Sequence, residues 1–226
     1  MKHKDFPFKH PFTYLIVVLV CNSVQLSGQT ENSNNLPQFL CSKFTKSIVK
    51  MKSGESNSAV LNYNIVDEEM IFNQKGTYMA LIETEKIDTI IIQNRKFVPV
   101  EKSFYELLVA GPVSMFVQNK GRLAPVGSTT AYGMTSQTLG PTAVRTVQTG
   151  NQVRNLEIPD NVTVSPASVN WILINKEWKK FTSEKQVIKL FPEKEKELKQ
   201  FLKQTNLDLK NHEDIVRLGK YLNEIL

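Results

Sequence analysis

The chain has few of the side chains that carry most enzyme chemistry. Its 226 residues include two cysteines and three histidines. A zinc site usually takes several His or Cys ligands, and we find no GxGxxG, P-loop, HExxH or EF-hand spacing. The sequence therefore predicts no metal and no cofactor, and it offers no histidine-based catalytic group of the usual kind.

Long apolar runs and dense basic clusters are also lacking. Lys and Arg number 28 against 22 Asp and Glu, and 41% of the residues are hydrophobic. This apolar content supports a globular core. The cations are spread along the chain without interleaved aromatics, so we predict no nucleic-acid partner. We also predict no transmembrane helix in the mature chain.

Residues 1–28 have the three-part pattern of a secretory signal peptide. Three lysines in the first nine residues precede an apolar run over 14–20, and Leu26-Ser27-Gly28 follows. The run is shorter than the roughly 20 residues that cross a bilayer. We expect cleavage after Gly28 and export to the periplasm, the outer membrane or the cell exterior.

Cys21 allows a second interpretation, in which the protein is a lipoprotein acylated at this cysteine. That processing favours a small residue before the cysteine, where this chain has Val20. Cleavage after Gly28 would leave Cys41 and His212 as the single cysteine and histidine, so no intrachain disulfide is expected. We predict a buried Cys41 and an exposed His212 at a helix start.

Beyond a flexible leader over residues 29–38, residues 39–126 have the pattern of about eight short strands. Turns rich in Gly, Asn and Lys recur at roughly ten-residue spacing, which favours antiparallel pairing over parallel crossover units. We predict an antiparallel β domain over 39–126, a meander that closes into a barrel or folds into a sandwich.

Residues 127–150 differ in composition. Fourteen of these 24 residues are Gly, Ser, Thr or Pro, and Tyr132 is their one aromatic. We predict a loop with two open interpretations, a linker or a glycosylated or partner-binding segment.

Residues 151–226 combine short strands with C-terminal helices packed on the β domain. Strand patterns occur over 153–158, 162–164 and 169–174. A capping box at Ser183-Glu-Lys-Gln186, Pro192 in a first turn and a cap at Asn211 predict helices. The predicted fold class is α+β, with the meander first and the helical segment after it.

Trp171 and Trp178 flank a short predicted hairpin and form the first candidate binding site, a stacking platform for sugar rings. Tyr132 is a further candidate ligand-binding residue. The simpler interpretation of Trp171 is that it packs between the sheet and the C-terminal helices.

Paired acids provide the one enzymatic alternative that needs no histidine. Glycoside cleavage uses two carboxylates a few ångströms apart. The turn Asp67-Glu-Glu69 and the acids Glu101 and Glu106 supply candidates, and the separation of Glu69 from Glu106 would test them. Adjacent acids between strands are more commonly a solvated turn, so we assign no catalytic residue.

Six short segments carry a resemblance: Leu61-Asn-Tyr-Asn64, Glu69-Met-Ile-Phe72, Ile87-Asp-Thr-Ile90, Lys96-Phe-Val-Pro99, Leu190-Phe-Pro-Glu-Lys194 and Tyr221-Leu-Asn-Glu224. On these, the chain resembles small exported β-rich proteins of unknown function from Bacteroidota-type bacteria, over about residues 43–226. The resemblance implies an extracytoplasmic location, a β-rich N-terminal part and a helical tail.

These observations lead to one expected function and its alternatives. We expect a non-catalytic binding or structural component of the cell envelope, with an envelope protein or surface polysaccharide as partner. The alternative is a carbohydrate-binding or two-carboxylate glycan-cleaving protein. A third option is a subunit of an outer-membrane assembly that docks through its C-terminal helices.

Overall fold

The computed structural model describes residues 36–74, 77–126, 128–129, 135–136, 158 and 162–226. Within these ranges the strands are β1 Thr45–Met51, β2 Ser56–Asn64, β3 Glu69–Gln74, β4 Thr77–Ala80, β5 Ile87–Ile92, β6 Arg95–Val100, β7 Ser103–Val109, β8 Val113–Gln118, β9 Gly121–Pro125, β10 Ser128–Thr129, β11 Thr135–Ser136, β12 Val162–Pro166, β13 Val169–Ile174 and β14 Glu177–Phe181. The helices are α1 Glu184–Leu190, α2 Glu195–Thr205 and α3 His212–Ile225. The predicted α+β class is confirmed.

Ten of the strands form one antiparallel sheet in the order β14-β13-β8-β7-β6-β5-β1-β2-β3-β4. The strands that follow the predicted loop thus enter the same sheet, because β13 pairs with β8. The neighbouring β9 and β12 pair with each other as a separate two-stranded ribbon. The predicted antiparallel meander is present as two runs, β1–β4 and β5–β8, which are joined by the pairing of β5 with β1, and β13 and β14 extend the sheet past the loop.

Two of the turns show why consecutive strands pair so tightly. Gln93 and Asn94 have φ values of 48° and 68°, and Asn175 and Lys176 have φ values of 50° and 66°. Two central residues with positive φ define the type I′ turn, whose twist matches that of a hairpin. The Asn-containing signals of the sequence therefore correspond to two-residue hairpin turns.

One side of this sheet, which we call the inner face, carries both hydrophobic cores. The first core lies among β1–β3 and β5–β7 and includes Tyr63, Phe97 and Phe104. The Tyr63 ring lies 5.9 Å from Phe97 and 6.5 Å from Phe104, although β2 is not hydrogen-bonded to β6 or β7. The sheet therefore curls over itself and buries its own inner face, which gives a sandwich-like arrangement.

The second core lies where the three helices cover the inner face of β8, β13 and β14. It joins strand residues to the apolar stripes of α2 and α3, which include Leu198, Leu202, Ile215, Leu218 and Leu222. These helix faces are used in packing against the sheet. The apolar stripe that would serve as a docking face for an assembly partner is therefore buried within the protein.

Helix α3 approaches β8 closely enough to bond with its backbone. The Asn223 side chain accepts from the Val113 N–H at 3.0 Å and donates to the Val113 carbonyl at 2.8 Å, as a paired strand would. One turn earlier, a Cβ on Gly219 would lie 2.4 Å from Cγ of Met115. Glycine is needed here because the helix backbone rests directly on the sheet.

The predicted helix caps have different outcomes. Asn211 caps α3, because its side chain accepts from the Glu213 N–H at 2.8 Å. The capping box predicted at Ser183 lacks the bond from the Ser183 side chain to the first turn of α1, since Ser183 makes no side-chain cap bond. Gln186 instead accepts from the N–H of Thr182 at 2.6 Å, so the preceding residue provides the contact.

The strands β9 and β12, which lie on either side of the predicted loop in the sequence, contact the region of the first core. Val164 in β12 packs against that core, and the Gly121 N–H at the start of β9 donates to the Ile65 carbonyl at 2.6 Å. Apart from β10, β11 and Ile158, residues 127–161 lie outside the described part, including most of the predicted strand over 153–158. In the described residues, no helix is long and apolar enough to cross a membrane.

Candidate ligand-binding surface

The two candidate tryptophans lie in one cluster of four aromatic rings. The Trp171 ring is stacked on Tyr105, with centroids 5.5 Å apart and planes inclined by 26°. Trp178 meets Tyr105 edge-on at 5.3 Å and Phe116 at 4.7 Å. Tyr105 and Phe116 are 8% and 5% exposed, whereas both tryptophans remain partly exposed. The tryptophans therefore cover the two inner rings and present their own surfaces to solvent.

Strand alternation determines which side of the sheet this cluster occupies. Trp171 lies between Asn170, whose amide donates to the Leu209 carbonyl in the helical segment, and Ile172, which belongs to the helix-covered core. Neighbouring side chains in a strand point to opposite faces. Trp171 is thus on the side away from the helices, which we call the outer face. The interpretation that it packs between sheet and helices is wrong.

A polar network fixes the orientation of Trp171. Its indole N–H donates to Oε1 of Gln118 at 3.1 Å, and Nε2 of Gln118 donates to the Glu68 carboxylate at 2.5 Å. Gln118 is 8% exposed, so its amide bonds form in a region shielded from water. Because both ends of the amide are engaged, the indole is held in one orientation before any ligand arrives.

Glu68 is the anchor of this network. It lies in the β2–β3 turn with a left-handed φ of 57°. Its carboxylate also accepts from the Ser103 hydroxyl at 3.0 Å and pairs with Lys120 at 2.7 Å. Burial and the Glu68 charge together raise the pKa of Tyr105, which keeps that phenol neutral beneath Trp171. The β2–β3 turn is thereby connected to the aromatic cluster through Glu68 and Gln118.

A continuous row of directly paired residues crosses seven strands of the outer face. We call it the outer row, and it consists of Ile48, Ile91, Lys96, Leu107, Phe116, Trp171 and Lys180. Ile48 is 45% exposed, and both lysines are exposed. The row therefore combines apolar and aromatic side chains with cations.

Of the two carboxylates considered for a glycan-cleaving enzyme, Glu69 begins β3 and is partly exposed, whereas Glu106 has a structural role. Glu106 lies on the inner face with a side chain 5% exposed, and Nε and Nη2 of Arg95 donate to its two oxygens at 2.6 and 2.5 Å. Nδ2 of Asn119 also donates to it at 2.9 Å. Both oxygens of this buried carboxylate are thus engaged within the fold, so it is not placed to transfer a proton to a substrate.

Cys41 and His212 show no catalytic arrangement. Cys41 is buried, as predicted, and burial raises the pKa of its thiol even though the charge of Arg95 opposes this shift. His212 is the first residue of α3 and is partly exposed. Within the described residues, no three His, Cys, Asp or Glu side chains are grouped as metal ligands.

Three predictions concern residues that the structure does not describe. Tyr132, Cys21 and the signal-peptide residues 1–28 all lie outside the described ranges. Of the predicted leader, residues 36–38 are described, and the Gln38 carbonyl accepts from the Ile65 N–H at 2.8 Å. The structure therefore brings together Trp171 and Trp178 among the candidate binding residues.

Sequence reasoning missed the partners of the two tryptophans. Nothing in the sequence distinguishes Tyr105 and Phe116 from core aromatics, Gln118 carries no motif, and Glu68 is singled out only as one acid of the Asp67-Glu-Glu69 turn. One signal was present: Phe104 and Tyr105 are adjacent in a strand, so their rings must lie on opposite faces. Two aromatic faces were thus detectable, but not which ring joins the tryptophans.

Comparison with known proteins gives no relative for this arrangement. No protein-family model matches the chain, and neither a curated protein nor a solved structure shows significant similarity to it. The functional argument therefore depends on the residues of this chain.

Proposed function

We propose that the protein is a non-catalytic binding component of the cell envelope and that it holds its ligand on the outer face. The observation that carries the proposal is the four-ring cluster, in which both tryptophans of the chain are partly exposed and held by Tyr105, Phe116 and Gln118. Aromatic side chains of this kind dominate binding surfaces because they combine large apolar area with little loss of conformational freedom.

The distribution of apolar residues supports a binding role for this face. The inner face is buried by the helices and by the curled strands, so folding does not require the partly exposed apolar side chains outside. Contiguous exposed apolar residues on a soluble protein commonly mark an interaction surface. The outer row, with Trp171 in it and Trp178 beside it, forms such a surface.

The envelope location and the class of partner are part of the proposal. The pattern of residues 1–28 and the resemblance to exported Bacteroidota-type proteins support export. An envelope protein or a surface polysaccharide then remains the natural partner. Between the two alternatives that involve sugars, the cluster favours binding over cleavage, because Glu106 is committed to Arg95.

Binding of the purified protein to isolated bacterial envelopes tests this function. We expect co-sedimentation of the wild type and loss of it in Trp178→Leu, which removes the edge contacts of the cluster. Tyr221→Leu is the matched control, because Tyr221 stacks on Phe201 at 3.9 Å within the helical segment. Equal binding by all three proteins, or release of sugar products from the envelopes, would contradict the proposal.

A further inference from the structure

Two exposed lysines bracket the aromatic part of the outer row. Lys96 pairs directly with Leu107, and Lys180 pairs directly with Trp171. Between them the row contains only Leu107, Phe116 and Trp171. Since neighbouring strands lie about 4.8 Å apart, the backbones of the two lysines are roughly 19 Å apart. The row is therefore an apolar strip with a cation at each end.

Further lysines lie on the outer face. Lys46 and Lys50 flank Ile48 on the same side of β1 and are exposed. Within the described strands β1, β5–β8, β13 and β14, the acid beside this face is Asp88, the extra residue of a bulge in β5, and its carboxylate accepts from the Thr89 hydroxyl at 2.9 Å. Glu68 reaches Gln118 at the strand ends and is paired with Lys120. Lysines therefore outnumber acids on these strands, and this part of the face complements an anion.

We propose that the outer row binds an acidic polysaccharide, a chain with carboxylate-bearing sugars, that lies across the strands. Sugar rings stack on Trp171 and Trp178, and carboxylates along the polymer pair with Lys180 and Lys96. This inference rests on the proposed function and names the class of its ligand. A linear polymer fits because the apolar side chains and the cations follow one continuous row across the strands.

The geometry favours a polymer over a lipid surface. The Trp171 ring is stacked on Tyr105 and its N–H is engaged by Gln118, so the indole lies against the sheet instead of projecting into a bilayer. Polar residues adjoin the row as well: Ser58 pairs with Ile48, and Ser114 pairs with Leu173 on the same face. Hydroxyl groups suit hydrated sugars and oppose burial in hydrocarbon.

Titration with polygalacturonate tests the inference directly. Both tryptophans of the full chain lie in the cluster, so their fluorescence reports ligand at this surface. The matched control ligand is the methyl-esterified polymer, which has the same backbone without the charge. We expect a fluorescence change that saturates with polygalacturonate, at least about tenfold weaker binding of the ester, and loss of binding in 1 M salt, where charges are screened beyond about 3 Å.

Variants of Lys96 and Lys180 test whether these two lysines contact the polymer. We expect Lys96→Gln and Lys180→Gln each to weaken binding about two- to fivefold, since exposed ion pairs contribute modestly, and the double variant to combine both effects because the sites are far apart. Lys179→Gln is the control, because Lys179 pairs with Ile172 of the inner face and with Glu177. Thermal unfolding of each variant verifies that it is folded.

Several results would overturn the inference. Absence of binding to polygalacturonate, equal binding of the ester, or affinity unchanged by the two lysine variants would each do so. Stronger binding to vesicles containing phosphatidylglycerol, with the same dependence on Lys96 and Lys180, would assign the face to a membrane. If Trp178→Leu still abolishes envelope binding in any of these cases, the proposed function stands and only the ligand class is wrong.

Discussion

The two faces of the ten-stranded sheet differ in burial and composition, although the same strands form both. On the inner face, residues such as Leu61, Phe97 and Phe181 are fully buried by helices or by other strands. On the outer face, Ile48 and Val60 are 45% and 41% exposed, and lysines alternate with apolar side chains. The inner face therefore provides the folding energy, and the outer face is free to vary in composition.

The charged groups follow the same division. On the inner face, the buried Glu106 is matched by Arg95 and Asn119. On the outer face, Lys96 and Lys180 have no acidic residue paired with them across the row. A charge that is matched within the fold contributes to structure, whereas unmatched cations on a surface remain available for a ligand.

The largest effect is expected from breaking the inner ion pair. Arg95→Met leaves Glu106 buried without its cation, and we expect the free energy of unfolding to fall by about 3–5 kcal/mol. Urea denaturation measures this loss. The double variant Arg95→Met/Glu106→Leu should recover most of it, because an apolar pair carries no desolvation penalty. A small loss in the single variant would show that the pair is hydrated and has no structural role.

Equivalent truncations on the two faces test the comparison itself. Leu218→Ala opens a cavity between α3 and the sheet and should cost about 2–5 kcal/mol. Ile48→Ala, on the outer row, should cost less than about 1 kcal/mol, as expected for an exposed position. The two variants are compared by urea denaturation under identical conditions. Similar losses would mean that the outer face is also a core.

Alkaline pH should lower the free energy of unfolding. Burial raises the pKa of the Cys41 thiol above its ordinary value of 9.0. Burial likewise raises the pKa of the Tyr63 phenol above its ordinary value of 10.0. Both groups become charged more readily in the unfolded chain, so their contribution to stability is complete below pH 9 and declines as the pH rises above it. Urea denaturation at pH 7.5 and pH 10 measures the decline.

Variants of the same two residues provide the control. Cys41→Ala and Tyr63→Phe remove the groups that titrate while retaining apolar side chains, so each should flatten the dependence of stability on alkaline pH relative to wild type. A pH profile unchanged in the double variant would show that other groups cause the decline.

A small effect on stability is also expected at the aromatic cluster. Trp178→Leu removes edge contacts with Tyr105 and Phe116, and such ring pairs contribute about 0.5–1.5 kcal/mol. We expect a loss of about 1 kcal/mol together with the loss of envelope binding. A loss as large as that of Leu218→Ala would place Trp178 among the structural residues and would weaken the distinction between the faces.

Local patterns allowed much of the fold to be predicted from the sequence. The run Ile87–Ile92 forms strand β5, because β-branched residues flanked by turn signals strongly favour strands. Asn211 caps α3 for a similarly local reason, since its side chain reaches an N–H two residues away. Such features need no knowledge of distant contacts.

The candidate site depends on contacts between distant residues, and for that reason little of it was predictable. Gln118 joins Glu68, fifty residues earlier, to Trp171, fifty-three residues later. Neither pairing leaves a pattern in the sequence near Gln118. The side of the sheet on which Trp171 lies depends in turn on the register of β13 with β8, which is set by the whole sheet.

Strand β7 contributes Phe104 to the first core, while a register shift after Leu107 turns Val109 toward the helix-covered core. Strand β7 therefore contributes side chains to both cores. Unfolding of either core exposes apolar residues of the other core to water. We therefore expect the sheet and the helices to unfold in a single cooperative transition. Limited proteolysis within the sheet would then yield no stable fragment, and neither half should be recoverable as an independent folding unit.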